Sequence, residues 1–316
     1  MGTNTVASAV LMTGAGRGIG RIAAERVLRE RPDVHLLVTA RGSGGLPLAA
    51  GLAEATGNPN VSAVSCDLAS MGSIRRAAEE VGARLDAGEL PPLAGFTGNA
   101  GVQLTSRARA TEEGLEPTFA VNVLANYLFV RLLWDRFTAP GRIVVVGSDT
   151  HFGDLRHNLG LVPAPRWEGV RELAAPREGA EAETAREGRT AYSTSKLAVA
   201  YLVHAFARRL PDGVDVYSFN PGYVPATGLF RDAGLAVRFL SRTLMQGFTA
   251  TPFAHSPATA GAMLAKAVAG PRPGETGAYI DRDAVVPSSA ESYDHAREEE
   301  LWATAAQLCA LPVEVG

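Results

Sequence analysis

Near-continuous apolar runs of strand length alternate along this chain with longer stretches of helical periodicity, and few folds accommodate that order. A strand that reads Val/Leu/Ile without polar alternation must be covered on both faces, so its sheet is parallel and helices cross over it. Residues 9–13, 34–40, 61–66, 93–98, 142–147, 214–219 and 277–280 read as the strands, and residues 18–29, 71–85, 111–137 and 191–209 as the main helices. No internal repeat and no linker of domain-boundary character interrupts the pattern. The expected fold is therefore an α/β, single-domain Rossmann fold, a doubly wound parallel seven-stranded sheet with helices on both faces.

Composition narrows the function classes. The chain has 316 residues, 46% of them hydrophobic, and a formal net charge of only −3, so no basic field points to nucleic acid. Cys66 and Cys309 are far apart and lack metal-ligand spacing, which fits a reducing cytoplasm better than a disulfide framework or a metal site. No signal-peptide pattern and no bilayer-length apolar run is present, so the expectation is a cytoplasmic protein without an integral membrane segment.

The segment Thr13-Gly14-Ala15-Gly16-Arg17-Gly18-Ile19-Gly20 follows the first strand and opens the first helix. Glycines there allow a tight turn and close backbone approach to a pyrophosphate, while the helix N-terminus offers free N–H groups to the anion. At the end of the second strand Val38-Thr39-Ala40-Arg41 carries no acid for a ribose 2'-hydroxyl. Arg41 and Arg17 instead suit a 2'-phosphate, so the expected cofactor is NADP(H). Asp67 and Leu68 close the third strand, where a carboxylate can accept from an adenine amino group, and Asn99-Ala100-Gly101 closes the fourth. Each of these could also be ordinary turn chemistry.

Tyr192 and Lys196 stand four residues apart on a predicted helix and share a face. A free tyrosine titrates near ~10, and an adjacent ammonium favours its phenolate, so the pair can serve acid–base chemistry. Spacing alone would equally suit a packed helix face. Ser148 after the fifth strand and Asn122 in the long preceding helix change the balance.

Together these residues resemble the short-chain dehydrogenase/reductase family, whose signature combines TGxxxGxG, an NAG motif, a catalytic Asn, a Ser and YxxxK. The resemblance covers essentially the whole chain. It implies that Tyr192 protonates the substrate oxygen as hydride is delivered, that Lys196 holds the nicotinamide ribose and tunes Tyr192, that Ser148 hydrogen-bonds the reacting carbonyl and that Asn122 supports a water reaching Lys196. Asn220-Pro221-Gly222-Tyr223-Val224 resembles the family's PG loop, which would place Pro221, Gly222 and Val224 at the nicotinamide amide. Gly98 replaces a first Asn common before the NAG motif, and Ala226 occupies the usual Thr position, leaving Thr227 as a shifted substitute. Residues 226–231 and the C-terminal segment resemble the protochlorophyllide reductase and retinol dehydrogenase-like branch. Tyr223 stands where the former place a cysteine, and no apolar run in this sequence is of the length expected for the membrane anchor usual in the latter.

Two segments break the alternation. The insertion at 149–189 separates Ser148 from Tyr192 and would either wall the pocket or block the common dimer interface, giving a monomer or homodimer; His151 and His157 lie in it. A substrate lid is expected at 221–257, with Phe230, Val237, Leu240, Leu244 and Phe248 on one helical face. The expected activity is NADPH-dependent reduction of a ketone or aldehyde on a fairly large hydrophobic small molecule. Reduction of a conjugated C=C bond is the close variant, and a non-catalytic NADP(H)-binding regulator is the reading from a different class. An extended-type epimerase or dehydratase is disfavoured by the Gly14–Gly18 spacing and the short C-terminal part.

Overall fold

The computed structural model describes residues 6–158, 160, 162–224 and 255–315. Eight strands form one sheet: β1 (Ser8–Thr13), β2 (Val34–Ala40), β3 (Val61–Ser65), β4 (Leu93–Gly98), β5 (Phe137–Val146), β6 (Val214–Asn220), β7 (Tyr279–Asp281) and β8 (Ala284–Val286). Their order is β3-β2-β1-β4-β5-β6-β7-β8. All neighbours from β3 to β7 are parallel, and β8 returns antiparallel to β7. The eighth strand was not expected. It is a three-residue hairpin arm, too short to leave a strand pattern, and the turn before it holds Arg282 at φ +63.

Alternate residues of each strand feed two separate cores, as period-two geometry requires. Leu11, Leu37, Phe96, Ile143, Val145 and Val216 face one layer, with Ile74, Tyr127, Phe206 and Trp302 from its helices. Val10, Met12, Leu36, Val38, Val144 and Phe219 face the other, with Ala24, Val27, Leu28 and Leu264. On this second face Gly261 lets the Pro257–Ala269 helix approach the Gly18–Glu30 helix: an added Cβ would lie 2.5 Å from Ile22 Cγ2.

Two helices differ from expectation at their starts. The 111–137 stretch becomes helical only at Pro117, capped by Glu116, whose carboxylate accepts from Thr118 N at 3.0 Å and Phe119 N at 2.7 Å. It passes through a π turn (Ala120–Leu124), continues as Ala125–Leu132, and leaves Phe137 to open β5. The Tyr192 helix spans Ala185–Ala207, with Thr184 as its cap, so Tyr192 lies two turns inside it.

The 149–189 insertion is folded onto the molecule. Val170, Leu173 and Ala174 are buried in the first core, Trp167 packs edge-on to Tyr201 at 5.0 Å, and Val170 N donates to Glu300 Oε1 at 2.8 Å. Arg107, Arg166 and Arg177 gather around Glu168 and Glu187 to tie the segment down. Among the described residues, no helix is long and apolar enough to cross a membrane.

Candidate active site

Chain order and spatial order reverse between β1 and β4, which opens a crevice at the carboxyl ends of these strands. The glycine loop lines it. Gly14 has φ +71, and a Cβ there would lie 2.6 Å from Asn99 Nδ2, the amide that donates to Thr13 O at 3.2 Å and Gly14 O at 3.0 Å. Gly20 is packed more tightly still, its Cβ position only 2.3 Å from Gly14 O. Ala100 N donates to Thr13 Oγ1 at 3.0 Å, so the loop after β4 is stitched to the loop after β1. Gly18 turns into the first helix at φ +55. Arg17 provides no side-chain cap there, which leaves the first N–H groups to a ligand. Arg17 and Arg41 follow the carboxyl ends of the neighbouring strands β1 and β2 and both are exposed; Gly16 is exposed and Ile19 half-buried. These residues fit a dinucleotide phosphate group.

Asp67 is exposed and its carboxylate accepts from Ala69 N at 3.1 Å, a local turn bond, while Leu68 is half-buried. Asn220 Oδ1 accepts from Gly222 N at 3.1 Å and its amide donates to Asp281 at 2.8 Å, shaping the loop that carries Pro221 and Val224. Gly222, at φ +72, has Arg282 Nε 3.0 Å from its Cβ position. Thr227 and residues 225–254 of the expected lid lie outside the described residues.

At the chemical end Ser148, Tyr192 and Lys196 come together. Lys196 is buried, donates from Nζ to Val146 O at 2.7 Å and lies 5.5 Å from the centre of the Tyr192 ring. Burial lowers its ammonium to about 8. Burial also pushes the Tyr192 phenol well above its ordinary value; the Ser148 hydroxyl opposes that rise and Asp149 adds to it. Tyr192 is thus held protonated, the state a proton donor needs.

Asn122 sits in the π turn, a form of helix that frequently marks functional sites. Its side chain is bound on both sides to Val102, accepting from N at 2.9 Å and donating to O at 3.0 Å, and it donates to Ser195 Oγ at 2.9 Å. Ser195 Oγ in turn donates to Tyr192 O at 2.7 Å, joining Asn122 to the Tyr192 helix. Gly101 fits beside both, its Cβ position 3.3 Å from Asn122 Oδ1 and 3.7 Å from Lys196 Nζ.

Three further residues belong to this site: Asn126 and Asp149, which were not singled out from sequence, and His151, which was noted there only as an insertion histidine able to touch substrate or to serve the structure. Asn126 Nδ2 donates to Asn122 O at 2.8 Å, and its side chain fills the space a Cβ at Gly98 would need, 2.0 Å away. The missing first Asn of the NNAG pattern is therefore matched by an asparagine one turn after Asn122. His151 is buried; its Nδ1 donates to Ser148 O at 2.6 Å and its Nε2 accepts from Ser289 N at 3.1 Å. Both ring nitrogens are spent on backbone, and burial lowers the ring to about 4, so it braces Ser148 as a neutral imidazole. Asp149 lies next to Ser148, and its Oδ1 accepts a hydrogen bond from the Ser148 hydroxyl at 3.3 Å. His157, the other histidine of the insertion, stacks on Phe152 at 3.8 Å and pairs with Asp154.

A family model described as short chain dehydrogenase matches residues 8–157. Mouse polyprenol dehydrogenase is 30% identical over 311 residues, covering 94% of this chain and 82% of that one. A Streptomyces sp. (strain C5) protein bearing the name of a daunorubicin C-13 ketoreductase is 29% identical over 299 residues, covering 94% and 91%. Protochlorophyllide reductases and human retinol dehydrogenase 11 also match, in agreement with the branch resemblance. Among solved structures, an angucycline C-6 ketoreductase with bound NADP superposes with a TM-score of 0.60 at 24% identity, covering 89% of this chain and 96% of that one, and shows the shared fold.

Proposed function

Because this chain belongs to the short-chain dehydrogenase/reductase family, we propose that it is an NADPH-dependent reductase of a carbonyl group on a fairly large hydrophobic small molecule. The observation that carries this reading is the convergence of half-buried Ser148 with buried Tyr192 and Lys196 at the crevice that the uncapped glycine loop also lines. NADPH, when bound, supplies the hydride. The Gly14–Gly20 loop and the free N–H groups of the first helix hold its pyrophosphate, and Arg17 and Arg41 take the 2'-phosphate.

Ser148 donates to the carbonyl oxygen and stabilises the charge that develops there. Tyr192 delivers its phenolic proton to the same oxygen, completing the alcohol. Lys196 holds the nicotinamide ribose once it is drawn from Val146 O, and its ammonium then lowers the cost of the phenolate left behind. The Asn122 π turn supports the water through which the proton is replaced. Half-buried Phe152, four residues after Ser148, and Tyr223, in the Asn220–Val224 loop, favour an apolar substrate, as do the polyprenol and daunorubicin names of two relatives. Two buried unpaired thiols, Cys66 and Cys309, support a reducing cytoplasmic setting.

The test is product analysis with NADPH deuterated at the transferred position, across hydrophobic ketones, aldehydes and enones. Deuterium on a carbinol carbon supports the proposal. Deuterium on a saturated carbon next to an intact carbonyl assigns C=C reduction instead, and NADPH binding without any product assigns a regulator.

A further inference from the structure

The hydroxyl of Ser148 has one proton and more than one claimant for it. Its oxygen accepts from Thr150 N at 3.2 Å, which fixes the side chain, and its proton points to Asp149 Oδ1 at 3.3 Å. Ser148 also meets the Tyr192 phenol. An ionised carboxylate is acceptor-only, whereas a protonated carboxyl can donate. We propose that Asp149 sets the direction of the Ser148 proton, so that Ser148 donates to the substrate oxygen only while Asp149 is protonated. With Asp149 ionised, its oxygen keeps the Ser148 proton, and a negative charge stands beside an oxygen that is itself becoming negative. With Asp149 protonated, the carboxyl donates to Ser148 Oγ and the serine proton is free to turn to the substrate.

The surroundings suit a group that changes state near neutrality. Burial raises the Asp149 carboxyl to about 6, and Asp281 at the end of β7 pushes the same way. Ser148, Arg282 and His157 oppose the rise. Among the described residues the phenols of Tyr192 on its helix and Tyr279 on β7 also face it, and both feel its charge. The inference rests on Ser148 and Tyr192 acting as proposed above.

The test is the pH dependence of kcat/KM for NADPH-linked carbonyl reduction by wild type, Asp149→Asn and Asp281→Asn. Wild type is expected to lose activity by on the order of 100–1000-fold as pH rises through the Asp149 transition, the loss expected when an oxyanion donor is withdrawn. Asp149→Asn, whose amide donates to Ser148 Oγ at every pH, is expected to lose that step. Asp281→Asn, which leaves Ser148 and Asp149 in place but removes a neighbouring negative charge, is expected to move the step to lower pH. A wild-type step in Asp149→Asn, or an unmoved step in Asp281→Asn, overturns the proposal. So does Asp149→Asn that binds NADPH but is inactive at every pH. Wild-type turnover by Tyr192→Phe would instead overturn the underlying catalytic reading.

Discussion

Gly98 and Asn126 show how one residue at the end of β4 shapes the chemistry. Their fit leaves no room for a Cβ at position 98, 2.0 Å from Asn126 Oδ1. Gly98→Ala should push the Asn126 amide off Asn122 O and cost about 1–3 kcal/mol of stability by overpacking. Urea unfolding would measure the loss, with a fall in kcat expected alongside it. His151 sets a second residue-scale expectation. Its folded value of about 4 lies below the ordinary 6.5, so it stabilises the fold above the unfolded value. That contribution is lost as pH falls from ~6.5 towards 4. Acid unfolding of wild type should show it, and His151→Asn should blunt this part of the pH dependence. The Tyr192/Lys196 pair and Ser148 could be singled out in sequence only jointly with Asn122 and the glycine loop, as a set that resembles a family signature, since the Tyr/Lys spacing alone equally suits a packed helix face. Asp149 was not, since an acid after a serine reads as turn chemistry, and the reach of Asn126 depends on the absent Cβ of Gly98 across the sheet.

At the scale of elements, the strands in the middle of the sheet were readable because burial on both faces leaves an uninterrupted apolar run. The ends were less so. Apolar periodicity runs past Leu132 into Phe137, and nothing in it marks the 3-10 turn (Trp134–Arg136) that separates helix from strand. The true start of the helix is set by Glu116, a buried carboxylate that binds two backbone N–H groups and senses Arg107. Glu116→Ala is expected to cost about 1–2 kcal/mol as a lost cap. Because the Asn122 π turn follows within a turn, NADPH-dependent turnover should fall as well. Glu116→Gln, which keeps one acceptor, should recover part of both, as read by denaturant midpoint and steady-state rate.

For the whole molecule, the C-terminal helix (His295–Leu308) lies on the Tyr192 helix, and Trp302 fills the space between Tyr127, Trp134 and Phe206. The insertion adds Trp167 and Val170 to the same side. The chain thereby covers its own helical face, the surface expected from sequence to bear on dimer formation. Sedimentation should therefore find a monomer; a stable tetramer would show that these segments leave the helices accessible. Ligand binding to the folded state alone adds stability, about 2.7 kcal/mol at 100 times the dissociation constant. NADPH should accordingly raise the melting temperature more than NADH at equal concentration, and Arg41→Ala should narrow that difference. The parallel sheet with helices on both faces followed from the alternation of elements. The residues that choose a substrate did not, because they sit on loops whose shape periodicity does not encode.

The central claim is that Tyr192 is the proton donor of an NADPH-linked carbonyl reduction. Its most direct test is NADPH consumption over a panel of hydrophobic ketones and aldehydes by wild type and Tyr192→Phe, each first shown to bind NADPH. The account predicts turnover by wild type and a fall of about 100-fold or more in the Phe variant, the scale of a lost general acid, with NADPH binding retained. Equal turnover by the two proteins would contradict it.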